Sequence, residues 1–134
     1  MQLTKQERIK KYGEVFTPQW VVAQMCDNLP DDAFLPEKTF LEPTCGDGVF
    51  LLEILRRKFE HCRIRTDFTT AIRSVWGMDI QADNVDASIK NVEALCREYF
   101  KPTKDDLQII RDHIIMADSL KVMRMISELN ERSS

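Results

Sequence analysis

Glycine is scarce in this chain: four in 134 residues, at positions 13, 46, 48 and 77. There is no glycine- and serine-rich linker, low-complexity tract or internal repeat, so residues 1–134 are expected to form a single domain. No apolar run approaches the roughly 20 residues that a membrane-spanning helix needs. The opening stretch, MQLTKQERIKKYGE, lacks the apolar centre of a secretory signal, so a cytoplasmic location without membrane contact is expected. Histidine is limited to two residues, and the four cysteines (Cys26, Cys45, Cys62 and Cys96) include no Cys-x-x-Cys pair. Neither a zinc site nor a disulfide framework is therefore expected. A basic excess is missing too. With 19 Lys and Arg against 22 Asp and Glu, the formal net charge is -3, which argues against a surface built throughout to grip phosphates.

What is present suffices for a core, since 43% of the residues are hydrophobic. Residues 1–38 read as an N-terminal helical element. Charged helix formers fill residues 3–11, and Gly13 is placed to stop them. Thr17-Pro18 then reads as a helix start, a hydroxyl able to cap amides followed by proline at the first helical position. Val21, Val22, Met25 and Leu29 recur at helical spacing and predict an inward face over residues 18–29. Residues 39–134 read as a βαβαβ core, with strands over 39–42, 74–80 and 113–117 and helices over 49–59, 82–100 and 120–130. Arg56, Arg57 and Lys58, with Arg63 and Arg65, read as a solvated basic helix end. Inward stripes are expected at Val85, Ile89, Val92, Cys96 and Tyr99, and at Val122, Met123, Ile126 and Leu129. Strands alternating with helices predict a parallel sheet with right-handed crossovers, the first half of a doubly wound α/β fold.

Ligands of such sheets sit beyond the carboxyl ends of the strands. Those ends carry Glu42, Asp79 and Asp118. Between the first strand and its helix lies Thr44-Cys45-Gly46-Asp47-Gly48, where two of the chain's four glycines flank an aspartate and let a ligand approach the backbone. The spacing is neither the G-x-G-x-x-G of dinucleotide binders nor the G-x-x-x-x-G-K-[ST] of a phosphate loop, and Glu42 and Asp47 would repel phosphates. A ligand with cationic and hydroxyl-bearing parts fits better. S-adenosylmethionine has both, in its ammonium and sulfonium, its ribose diol and its adenine. Asp79 can accept from the ribose hydroxyls, Ile80 can lie against the adenine face, and Asp118 can accept from the adenine amino group. Plainer readings stand beside these: a tight strand-to-helix turn for residues 42–48, and helix caps for Asp79 and Asp118. Cys45 reads as a small loop residue, because no histidine lies near it in sequence to activate a thiol. Trp20 and Trp76 read as core or partner-facing, and His61 and His113 support no assignment.

Tyr12-Gly13-Glu14-Val15-Phe16-Thr17-Pro18, followed by Phe40-Leu41-Glu42-Pro43-Thr44-Cys45-Gly46-Asp47-Gly48-Val49-Phe50-Leu51, resembles the opening of adenine-specific (N6) DNA methyltransferases of restriction–modification systems. The resemblance implies an α/β, Rossmann-like S-adenosylmethionine-dependent methyltransferase fold, present in part. It also implies cofactor contacts at Phe16, Thr17, Glu42, Pro43, Thr44, Cys45, Gly46, Asp79, Ile80, Asp118 and Ser119. Thr17 would contact the methionine carboxylate, and Glu42, Thr44 and Gly46 would line the methionine end. Asp79 and Ile80 would hold the ribose and adenine, and Asp118 the adenine amino group. That family continues into a fourth strand ending in (Asn/Asp)-Pro-Pro-(Tyr/Phe) and then a DNA-recognition region, whereas this sequence contains no Pro-Pro pair. The expectation is a cofactor-binding portion with no catalytic residue assigned, inactive alone or completed by a partner. A non-catalytic S-adenosylmethionine-binding or partner-competing module, and a fragment of a protein or RNA methyltransferase, are the alternatives. The first strand would lie in the middle of a complete sheet, so its free edge is expected to take a second copy or a catalytic or specificity subunit, with DNA bound only in the larger assembly.

Overall fold

The computed structural model describes residues 17–133, so the expected helix over residues 3–11, its stop at Gly13, and Phe16 lie outside the described residues. The elements run α1 (Gln19–Asp27), a 3-10 turn (Asp31–Phe34), β1 (Phe40–Glu42), α2 (Val49–Glu60), α3 (Arg65–Arg73), β2 (Val75–Asp79), α4 (Ala82–Tyr99), α5 (Lys104–His113), β3 (Ile114–Met116) and α6 (Ser119–Ser133). The three strands are parallel in the order β1-β2-β3, with Phe40 opposite Val75 and Gly77 opposite Ile114. Helices flank this sheet, and the mixed α/β architecture is consistent with the partial Rossmann-like methyltransferase fold expected above. β1 forms an edge of the sheet, with β2 as its neighbour.

Alternation along the strands gives the sheet two unequal faces. Phe40, Val75 and Ile114 share one face and join Leu51, Leu55, Val92 and Ile110 of the flanking helices in the core. On the other face Leu41 sits opposite Trp76, and Ile115 sits opposite Met78. Leu41, Trp76 and Ile115 are 51%, 39% and 40% exposed. Parallel sheets are ordinarily covered on both faces, so among the described residues this one lacks part of a layer. The expected inward stripe of α6 is not realised either. None of its residues is buried, because no described element lies opposite Met123, Ile126 and Leu129.

Several expectations need correction. Two helices, α3 and α5, extend the βαβαβ pattern. The segment of α3 carries an apolar stripe of helical period, Phe68, Ala71 and Ile72, that the sequence reading passed over. It starts where the Asp67 carboxylate accepts from the amides of Arg63 (2.8 Å) and Ile64 (3.2 Å). In α1 the buried pair is Val22 and Cys26, while Met25 and Leu29 are exposed, because the face against α2 is set one position away from the predicted one. Pro18 occupies the cap position of α1 and its carbonyl accepts from Val21 and Val22, so the Thr17 hydroxyl does not cap that helix. Tyr99, expected on the inward stripe, is exposed, and Trp20, read as core or partner-facing, is outside the core.

The basic end of α2 is likewise not a solvated tail. Lys58 is fully buried, and its ammonium donates to the carbonyls of Leu35 (2.8 Å), Pro36 (3.3 Å) and Lys38. Burial pulls its pKa down to about 8, which leaves the ammonium its three protons at neutral pH, one for each carbonyl. Lys58 thereby fixes the segment that leads into β1. Arg57 donates to Asp27, Glu53 and the Ala23 carbonyl, tying α2 to α1.

A second buried charge joins α3 to α5. Asp106 is 2% exposed and accepts from Arg65, the Thr69 hydroxyl (2.8 Å) and the Thr103 amide (2.9 Å), while its own amide donates to the Thr103 hydroxyl (3.1 Å). Burial opposes ionisation of Asp106, but the bonds from Thr103, Arg65 and Thr69 outweigh it and hold the carboxyl below its usual range. Because folding lowers this pKa, the unfolded chain takes up the proton first as pH falls. The stabilisation is full above about pH 5 and fades through and below the ordinary carboxylate value of about 3.9. Asp106→Asn should lower stability at pH 7 by about 1–3 kcal/mol. It should also flatten the acid-side fall of the urea midpoint; wild-type and variant midpoints that decline in parallel between pH 5 and pH 3 would contradict the assignment.

Candidate ligand-binding cleft

The cleft is built where β1 gives way to α2. Pro43 ends β1, yet the pairing to β2 continues through the Cys45 amide, which donates to the Met78 carbonyl at 2.7 Å. The chain then turns: the Gly48 amide donates to the Cys45 carbonyl at 2.8 Å, with Gly46 at φ +53° and Gly48 at φ +96°. Both are left-handed, a region that costs a side-chain-bearing residue about 1 kcal/mol or more. At Gly48 space adds to conformation, since a Cβ there would lie 3.2 Å from Ser88 Oγ and 3.3 Å from Ser88 Cα.

Asp79, at the end of β2, locks this turn from below. Its Oδ2 accepts from the Gly46 amide at 3.0 Å, and its Oδ1 accepts from the Gln81 amide at 2.8 Å and the Asn84 side chain at 3.2 Å. The cap reading thus holds in part, because Gln81 is the cap residue of α4. A carboxylate has about four acceptor positions, so Asp79 keeps about one for a ligand. A diol using both hydroxyls would displace one internal donor. Asp118 accepts from the amides of Leu120 (3.1 Å) and Lys121 (3.4 Å) and so caps α6, with acceptor capacity left over.

Glu42 accepts from the Thr44 amide at 3.1 Å. Burial pushes its carboxyl up, with Thr44 opposing. A cation brought next to it would gain more than it would beside a solvated carboxylate. Cys45 turns inward to join the core, and burial pushes its thiol up to about 11, so the thiol is not a nucleophile at neutral pH.

These parts enclose a cleft of about 590 Å³, lined by Thr17 and residues 42–47, 49, 50, 79–81 and 117–120. The volume lies in the range of small-molecule sites, about 300–1,000 Å³. Thr17, Glu42, Pro43, Thr44, Cys45, Gly46, Asp79, Ile80, Asp118 and Ser119 all line it, so the structure brings together every expected site residue within the described part of the chain. Among the described residues, its lining carries four carboxylates (Glu42, Asp47, Asp79 and Asp118) and no Lys, Arg or His. Ile80 is 61% exposed and presents a flat apolar side. Sequence reasoning assigned no site role to Val49, Phe50, Gln81, Ala117 and Leu120, which also stand in the lining. It also missed Asn84, Ser88 and Asn91, whose spacing along one line of α4 was a legible signal.

No protein-family model matches the chain, and no solved structure matches it. Among curated proteins, the chain is 34% identical over 86 residues to the Type II methyltransferase M.VspI of Vibrio sp. (strain 343). The match covers 64% of this chain and 18% of that protein, so the chain spans well under a quarter of the length of the curated relative it matches. In sequence and in fold the chain resembles part of the S-adenosylmethionine-binding N-terminal region of adenine-N6 DNA methyltransferases.

Proposed function

We propose that this chain is the S-adenosylmethionine-binding portion of a DNA adenine-N6 methyltransferase, with the cofactor held in the cleft at the carboxyl ends of β1, β2 and β3. The observation that carries the reading is the lining itself: among the described residues, four carboxylates with no basic residue, around a loop of two left-handed glycines. Such a site repels phosphates and favours a ligand with net positive charge. The cofactor's sulfonium supplies an activated methyl group. This chain's residues bind and orient it: Glu42 faces the cationic methionine end, Thr17 and the first amides of α2 meet its carboxylate, Asp79 accepts from the ribose, Ile80 covers the adenine, and Asp118 accepts from the adenine amino group.

Calorimetric titration tests the site. Wild type should bind S-adenosylmethionine and not ATP at the same concentration, and Asp79→Ala should weaken binding roughly tenfold to a hundredfold, about 1.5–3 kcal/mol. No heat with millimolar S-adenosylmethionine, or equal affinity in the variant, would sink the assignment.

The sequence has no Pro-Pro pair to hold a target base, and placement of the acceptor supplies much of the acceleration in group transfer. The chain alone therefore does not methylate DNA. Transfer of a radiolabelled methyl group to mixed-sequence DNA should stay at background, and incorporation above background would show that an acceptor site exists within these residues.

Among the described residues, the open edge of β1, the exposed Leu41, Trp76 and Ile115 on one sheet face, and the unburied α6 together call for more protein. In the assembled enzyme this need is met by a catalytic segment; in the purified chain a second copy meets it through the β1 edge. Light scattering at micromolar concentration should give a dimer that Leu41→Lys dissociates, and a wild-type monomer would remove this reading.

A further inference from the structure

Three polar side chains of α4, Asn84, Ser88 and Asn91, stand one turn apart and reach the site without lining it. Asn84 donates to Asp79 Oδ1 at 3.2 Å. The Ser88 hydroxyl donates to the Gly46 carbonyl at 2.8 Å, and the Asn91 side chain donates to the Asp47 carbonyl at 2.9 Å. Ser88 is completely buried among apolar neighbours such as Val85 and Val92, a place where a hydroxyl stabilises nothing unless it is bonded. The bond it makes is to the glycine loop.

A peptide group is planar and trans, so its carbonyl and the amide that follows point opposite ways. By drawing the Gly46 carbonyl toward α4, Ser88 turns the Asp47 amide away from α4; by drawing the Asp47 carbonyl, Asn91 does the same for the peptide that leads into Gly48. The same serine closes the space above Gly48, where a Cβ would lie 3.2 Å from its hydroxyl.

We infer that Ser88 and Asn91 are positioning residues for the cofactor, setting the peptide orientations of the loop at residues 46–48 from behind while touching no ligand. This rests on reading the cleft as an S-adenosylmethionine site, and it deepens that reading by assigning the loop's conformation to α4 rather than to its glycines alone. Glycine permits the left-handed turn; the two donors select it.

Ser88→Ala and Asn91→Ala test this with two readouts. In the ligand-free protein, hydrogen exchange followed by NMR should quicken at least tenfold at the Cys45 and Gly48 amides, while the urea midpoint stays close to wild type, most securely for Asn91→Ala because Asn91 is exposed. In titrations, S-adenosylmethionine affinity should fall about tenfold in each variant. Unchanged exchange, or wild-type affinity in both variants, would overturn the inference and leave the site reading standing. So would a loss of affinity matched by a general loss of stability. Failure of wild type to bind would instead strike the site reading, and the exchange readout would still decide whether α4 orders the loop.

Discussion

The hydrogen bond from the Gly46 amide to the buried carboxylate of Asp79 joins the two halves of the site. Asp79 ends the central strand, and Gly46 lies in the turn that follows the edge strand, 33 residues earlier. A burial that would otherwise penalise a carboxylate is offset by three donors, from Gly46, Gln81 and Asn84. Through them one side chain sets the end of β2, the start of α4 and the path of the glycine loop. The cleft lies where these three meet, so its shape follows from the satisfaction of one buried charge.

Two further buried charges hold the scaffold that presents this site. Lys58 gathers the carbonyls ahead of β1 and so fixes where the edge strand begins. Asp106 binds α3 to α5, the helices that return the chain to β2 and β3. Each ties elements together in a sheet whose second face, among the described residues, leaves Leu41, Trp76 and Ile115 exposed. The apolar residues left exposed (Leu41, Trp76, Ile115, Met123 and Ile126) mark the surface that the proposed partner would cover.

Much of the site was legible in the sequence, because its signals are local. A proline ending a β-prone run, two glycines around an aspartate, and acids closing the next two strands suffice to bring Glu42, Gly46, Asp79 and Asp118 to one rim, and all four line the cleft. The strand positions followed for the same reason. What was not legible depends on distant partners. The burial of Lys58 requires the carbonyls of residues 35, 36 and 38, and nothing in a basic helix end announces them. Helices α3 and α5, by contrast, carried signals that were missed: the stripe Phe68, Ala71 and Ile72 in the first, and Thr103 followed three residues later by Asp106 in the second. The exposed face of α6 has the period of a packed helix but meets no described surface, a case where the pattern shows amphipathicity and cannot show the partner.

The central claim is that an acid-lined cleft at the strand ends holds a cationic adenosyl ligand. Hydrogen–deuterium exchange by mass spectrometry, run with S-adenosylmethionine and separately with ATP, tests it most directly because it reports place as well as binding. The account predicts slowed exchange with S-adenosylmethionine alone, confined to segments covering residues 42–50, 78–82 and 117–120. Protection by ATP of the same segments, or protection by S-adenosylmethionine elsewhere in the chain, would contradict it.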